Sequence, residues 1–134
     1  MILLEEYFNN KKALSLHTDN AKVLLVYVNN LLTEYIRATK KQLQINGLTH
    51  NLISGNLNGD GGYRLTDSKT GAKLSSHKLG KGIDIFDPKN ELDDWITDEI
   101  LERNYLFREH PTHTSHWCHL TTRYPSSRKR TFYP

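Results

Sequence analysis

Ser75-Ser76-His77-Lys78-Leu79-Gly80-Lys81-Gly82-Ile83-Asp84-Ile85-Phe86 carries both halves of a problem in physical chemistry. Its second half alternates like a strand, with Ile83 and Ile85 on one face and Gly82, Asp84 and Phe86 on the other. Asp84 is therefore a carboxylate inside an apolar strand, which is costly unless it finds a partner. A cation at that place removes the cost. His77 precedes Asp84 by seven residues, too far for one helical turn. That spacing suits a ligand at the end of a loop followed by a second partway along a strand. Gly80 and Gly82 let the backbone turn and leave space above the sheet.

Outward from this stretch, Trp117–Thr121 is the last strand candidate, with Trp117, His119 and Thr121 facing one way and Cys118 and Leu120 the other. His119 has the same need for a partner as Asp84. Two imidazoles and one carboxylate, with a fourth position left for water, is the pattern of a catalytic rather than a structural zinc site. Towards the amino end, Ala21, Leu24, Leu25, Val28, Leu31, Leu32, Tyr35 and Ile36 form one apolar stripe, predicting a helix over residues 19–40 capped by Thr18 or Asp19. Residues 48–54 read as a short strand and 55–76 as a long glycine-bearing loop. Asp87-Pro88 stops the strand after Asp84 and starts a helix with proline in its first turn, whose buried stripe is Leu92, Trp95, Ile96 and Ile100. The order helix, strand, strand, helix, strand predicts an α+β fold with an antiparallel sheet.

The 134 residues predict one domain. With 37% hydrophobic and 25% charged residues the composition is that of a globular protein rather than a disordered one. No apolar run approaches the roughly 20 residues that span a bilayer. Met1-Ile2-Leu3-Leu4-Glu5-Glu6 has neither the basic start nor the cleavage site of a standard signal peptide. The formal charge is +3, much of it in Arg128-Lys129-Arg130, within a basic segment over residues 123–134 expected to be a solvated tail. Nucleic acid is not an expected partner, because aromatic platforms and known motifs are missing. The single Cys118 excludes an internal disulfide framework.

Ser75-x-His77-x-x-Gly80-x-Gly82-x-Asp84 followed by Trp117-x-His119 resembles the signatures of the zinc D-Ala-D-Ala carboxypeptidase family. That family includes vancomycin-resistance D,D-peptidases and phage endolysins, and the Hedgehog signalling domain shares its fold. The likeness runs from about residue 53 to the carboxyl end. It implies a Hedgehog/DD-peptidase-like fold, a central antiparallel sheet with flanking helices, and one Zn2+ held by His77, Asp84 and His119. Gly82 stands where the family usually has alanine. The implied function is a zinc metallopeptidase hydrolysing peptidoglycan stem peptides, as a D,D-carboxypeptidase or an endolysin-type endopeptidase. The alternative is a non-catalytic phage structural or cell-wall-binding protein that keeps the fold, with virion proteins as partners. Without a signal peptide, such a protein is expected in the host cytoplasm before holin release, or in the virion, and acts at the cell wall.

Zinc hydrolysis also needs a group that takes a proton from water and returns it to the leaving amine. Family members often place a glutamate three residues before the last histidine, where this chain has His116. Small phage relatives carry Glu-x-Pro ahead of Trp-x-His, which Glu109-His110-Pro111 matches. Glu109 is the favoured base and His116 its rival. Gly62-Tyr63-Arg64 fits the family's Gly-Tyr/Trp-Arg segment, and the resemblance then implies Arg64 as the cation that steadies substrate or a developing oxyanion; Ser54-Gly55 offers a rival alignment without an arginine, which leaves Arg64 a surface residue of a glycine loop. His110, His113, His116 and His119 recur every three residues, but Pro111 opposes a regular helix, and His110 and His113 are expected at the surface or in hydrogen bonds.

Overall fold

The longest apolar stripe becomes the longest helix. In the computed structural model, which describes residues 1–72 and 75–134, a short helix α1 (Leu4–Phe8) leads into α2 (Ser15–Thr39). Ala21, Leu24, Leu25, Val28, Leu31, Leu32 and Tyr35 line the buried face of α2. The helix starts four residues earlier than the sequence predicts, and neither Thr18 nor Asp19 caps it. Thr18 lies inside the first turns, its hydroxyl bonded to the Leu14 carbonyl. The early start is held by a tertiary contact instead of a cap: His17 is buried, with its Nδ1 2.8 Å from the Tyr63 hydroxyl.

A 3-10 turn (Ser76–Leu79) precedes strand β1 (Gly82–Phe86). Then come α3 (Glu91–Trp95), α4 (Asp98–Arg103), β2 (Phe107–Glu109), β3 (Trp117–Thr121) and β4 (Thr131–Phe132). The strands form one sheet in the order β1-β3-β2-β4. β3 pairs antiparallel with both β1 and β2, whereas β4 runs parallel to β2. The α+β class expected from the sequence is therefore present, in a mixed rather than wholly antiparallel sheet. Ile83 and Ile85 of β1 and Cys118 and Leu120 of β3 turn one face into the core shared with α2. The other face carries Asp84 and His119.

Three local expectations are corrected. Residues 48–54 do not form a strand, since only Ile53 makes a bridge, to Ile85. The bridge is closed by the Ser54 amide on the Asp84 carbonyl and the Phe86 amide on the Leu52 carbonyl, while on the side away from β1 asparagines bind the chain: Asn51 accepts from the Ile53 amide, and Asn46 donates to the carbonyls of Ile53 and Gly55. The helix after Asp87-Pro88 is two helices. Asp87 caps α3 through the amides of Leu92 and Asp93, which leaves Pro88 in the preceding turn. Thr97 then accepts from the Ile100 amide and starts α4. Finally, the basic carboxyl segment docks in part. Arg130 lies 4.3 Å over the Phe107 ring and donates to the Leu106 carbonyl, and β4 follows, while Arg128 and Lys129 stay exposed. Among the described residues no helix is long and apolar enough to cross a membrane.

Candidate metal centre

The Ser75-x-His77 pattern is a small capping device. Ser75 Oγ accepts from the His77 amide at the start of the 3-10 turn, and Gly80, at φ +73°, ends it in the left-handed region. A side chain at Gly80 would collide with the His17 carbonyl, so the turn is pressed against the first turn of α2. His77 is thereby buried with its Nδ1 2.8 Å from the Gly62 carbonyl. A carbonyl only accepts, so this bond fixes a proton on Nδ1 and turns Nε2 toward Asp84, where it donates while protonated and is the nitrogen free to ligate once that proton is lost.

β1 and β3 supply the other two groups. Their register sets Asp84 opposite His119, and Asp84 Oδ1 lies 2.7 Å from His119 Nδ1 and 3.4 Å from His77 Nε2. The two imidazole rings are 5.1 Å apart between centroids. Ser76 Oγ is 3.4 Å from His119 Nε2. The second Asp84 oxygen, Oδ2, is 3.5 Å from Arg64 Nη2, and Arg64 is itself fixed by Nε donating to the Asp60 carbonyl and by its amide donating to the His77 carbonyl. All three side chains are largely withdrawn from solvent, at 5% exposure for His77, 13% for Asp84 and 9% for His119. Burial works against a charge on Asp84, but the positive potential of His77 and the hydrogen bonds from His119 and His77 outweigh it. The carboxyl is held well below the usual carboxylate range.

These residues fit a metal ion. One ligand atom from each of His77, Asp84 and His119 can be chosen so that all lie within 4.8 Å of one another. A tetrahedral zinc with ligands at about 2.1 Å separates neighbouring ligand atoms by about 3.4 Å. The His77–Asp84 separation already has that value, while the shorter His119–Asp84 pair is drawn in as a hydrogen bond. Two neutral nitrogens and one carboxylate are also the donor types zinc takes.

The remaining sequence candidates divide. Arg64 is at the centre, beside Asp84. Glu109 lies one residue beyond the Arg108–Leu120 pair of β2 and β3, so the same antiparallel count brings it level with His119. Alternation gives the two residues the same face of the sheet. His116 is elsewhere: it precedes β3 at φ +76°, exposed, with Nδ1 3.1 Å from the Pro88 carbonyl and its amide on Asn90. The three-residue histidine period brings together only His110 and His113, both against Tyr133 and away from the cluster. His110 stacks on Tyr133 at 4.5 Å and His113 meets the same ring edge-on. A cleft of about 550 Å³ opens beside His119, bounded by Ser75, Ser76, Thr121, Tyr124 and Tyr133. Sequence reasoning passed over Ser76, which occupies an unspecified position of the motif. The unusual glycine at 82 was the available signal.

In comparisons with known proteins, no family model, no curated protein and no solved structure matches this chain. What fold and site together define is an α+β protein whose sheet carries a His–Asp–His cluster able to bind a metal ion.

Proposed function

We propose that the chain is a zinc metallopeptidase acting on peptidoglycan stem peptides, as a D,D-carboxypeptidase or an endolysin-type endopeptidase. The observation that carries this reading is the meeting of His77, Asp84 and His119 beside an open cleft. A zinc ion held there supplies a Lewis acid for the scissile carbonyl and lowers the pKa of water toward about 7. The chain's own residues do the rest. His77 and Asp84 are pre-oriented by Gly62 and Arg64. Glu109, on the same face as His119 and on the adjoining strand, takes the proton of the attacking water and passes it to the leaving amine. Arg64 holds substrate charge close to the centre, the role its guanidinium beside Asp84 supports.

The test is incubation of purified protein with peptidoglycan, with and without a chelator. Release of new amino groups that the chelator stops is the expected result. A second reading, a wall-binding or virion protein without hydrolysis, is favoured by His116, which stands at the family's usual glutamate position and turns to Pro88. Binding to peptidoglycan without release would replace the first reading by the second.

A further inference from the structure

The two imidazoles of the cluster are not equally prepared for a metal. His77 is preset, because the Gly62 carbonyl can only accept and keeps the proton on Nδ1. His119 is not. Its Nδ1 is 2.7 Å from Asp84 Oδ1, and an ionised carboxylate only accepts, so in this arrangement a neutral His119 carries its proton on Nδ1. Nε2 is then a lone pair, and the group beside it, Ser76 Oγ at 3.4 Å, donates. To ligate through Nδ1 the ring must carry its proton on Nε2 instead, and the same neighbour must accept. A hydroxyl does both by rotating its hydrogen. An alanine does neither, and a carbonyl does only one.

Space for this hydroxyl comes from the opposite strand. A Cβ added to Gly82 would collide with Ser76 Oγ and come within 3.2 Å of His119 Cε1. The Ser76 hydroxyl thus fills the volume that a methyl group at position 82 would occupy. Hence serine at 76 and glycine at 82 form one steric unit behind His119.

We propose that Ser76 is a positioning residue for His119, its hydroxyl changing from donor to acceptor as Nδ1 passes from Asp84 to a metal ion, and that the bare Cα of Gly82 admits it. The inference rests on the metal-binding reading of the cluster and concerns only how His119 is readied for it. Second partners of ligating histidines fix tautomer and ring orientation, and their loss typically costs about 10–100-fold in metal affinity.

Zinc affinity, measured by competition with a chromophoric chelator on the full chain, tests the idea in native protein, Ser76→Ala, Ser76→Thr, Gly82→Ala and the Ser76→Ala/Gly82→Ala double variant. Metal-free melting temperature is followed in parallel. The expected loss for Ser76→Ala is about 10–100-fold, with the metal-free melting temperature lowered only slightly, as loss of one long 3.4 Å hydrogen bond implies, and with Ser76→Thr, which retains a hydroxyl, restoring most of the affinity. Gly82→Ala should weaken zinc in the native background and cost clearly less once Ser76 is alanine, because the severe clash with the hydroxyl is then gone and only the milder contacts with the Cβ of residue 76, at 2.9 Å, and with His119 Cε1, at 3.2 Å, remain. Nitrogen-15 spectra of the loaded native protein should show His119 protonated at Nε2. Native zinc affinity in Ser76→Ala, or equal Gly82→Ala losses in both backgrounds, overturns the inference while the metal centre stands. Failure of the native chain to bind zinc overturns both.

Discussion

Asp84 and His119 face each other across β1 and β3 with 2.7 Å between Oδ1 and Nδ1, and the same Oδ1 reaches His77 while Oδ2 is left to Arg64. One carboxylate thus divides its two oxygens between a pair of imidazoles and a guanidinium. A divalent ion entering on the imidazole side replaces a hydrogen bond with a coordinate bond and leaves the arginine contact in place.

Zinc binding should accordingly depend on this oxygen. Native protein is expected to take up one equivalent, and Asp84→Asn or His119→Ala to lose stoichiometric retention on metal analysis after desalting. At free zinc about 100-fold above Kd the native chain gains about 2.7 kcal/mol, read as a rise in Tm that either substitution removes. Stoichiometric zinc retained in either variant would contradict the ligand assignment.

Glu109 and His116 separate by the same assay combined with turnover. Glu109→Gln should keep zinc and lose about 10²–10⁴-fold in peptide hydrolysis. His116→Ala, whose imidazole is spent on the Pro88 carbonyl, should leave hydrolysis close to native. The reverse pattern would move the base to His116.

Beneath the sheet, Asp93 is buried against Arg108, whose Nη1 is 3.4 Å from its carboxylate. Burial raises the Asp93 carboxyl from the ordinary 3.8 to about 6, overcoming the lowering by the Cys118 thiol and by Arg108. The folded state therefore holds this proton more tightly than the unfolded one. The stability it contributes is complete below about pH 4 and is lost as pH rises through about 6, an effect of about 3 kcal/mol. Urea midpoints at pH 4.5 and 6.5 should show native protein losing ground against Asp93→Asn as pH rises. A constant difference between the two proteins would refute the assignment.

Gly80→Ala tests the turn that carries His77. The left-handed φ of +73° and the close His17 carbonyl predict a loss of about 1–3 kcal/mol in chemical denaturation, together with weaker zinc binding as His77 shifts. An unchanged denaturation midpoint would show that the turn relaxes freely.

The parts of this molecule that were legible in the sequence share a strong local period. β1 and β3 alternate cleanly, α2 carries a long stripe, and the predicted faces put Asp84 and His119 on the side away from the core. β2 and β4, with three and two residues, are too short to show a period, and partners distant in sequence define them. The break between α3 and α4 was hidden because Leu92, Ile96 and Ile100 keep a four-residue step across it, outweighing the Thr97-Asp98-Glu99 start signal. The early start of α2 depends on Tyr63, which no local pattern reveals. At the site, the three ligand candidates came from spacing and Arg64 from a short motif. The alignment of Glu109 with His119 required the sheet register, and Ser76 required the packing around Gly82.

Alternation on β3 sets Cys118 immediately beside His119 in sequence but on the opposite side of the sheet, fully buried and with its thiol pushed well above the usual range, first by burial and then by Asp93. Alkylating reagents can reach that sulfur only when the strand lifts. The chain therefore contains its own chemical clock: the rate at which iodoacetamide labels the native protein reports how often β3 opens, and any ion clasped by His119 should slow it.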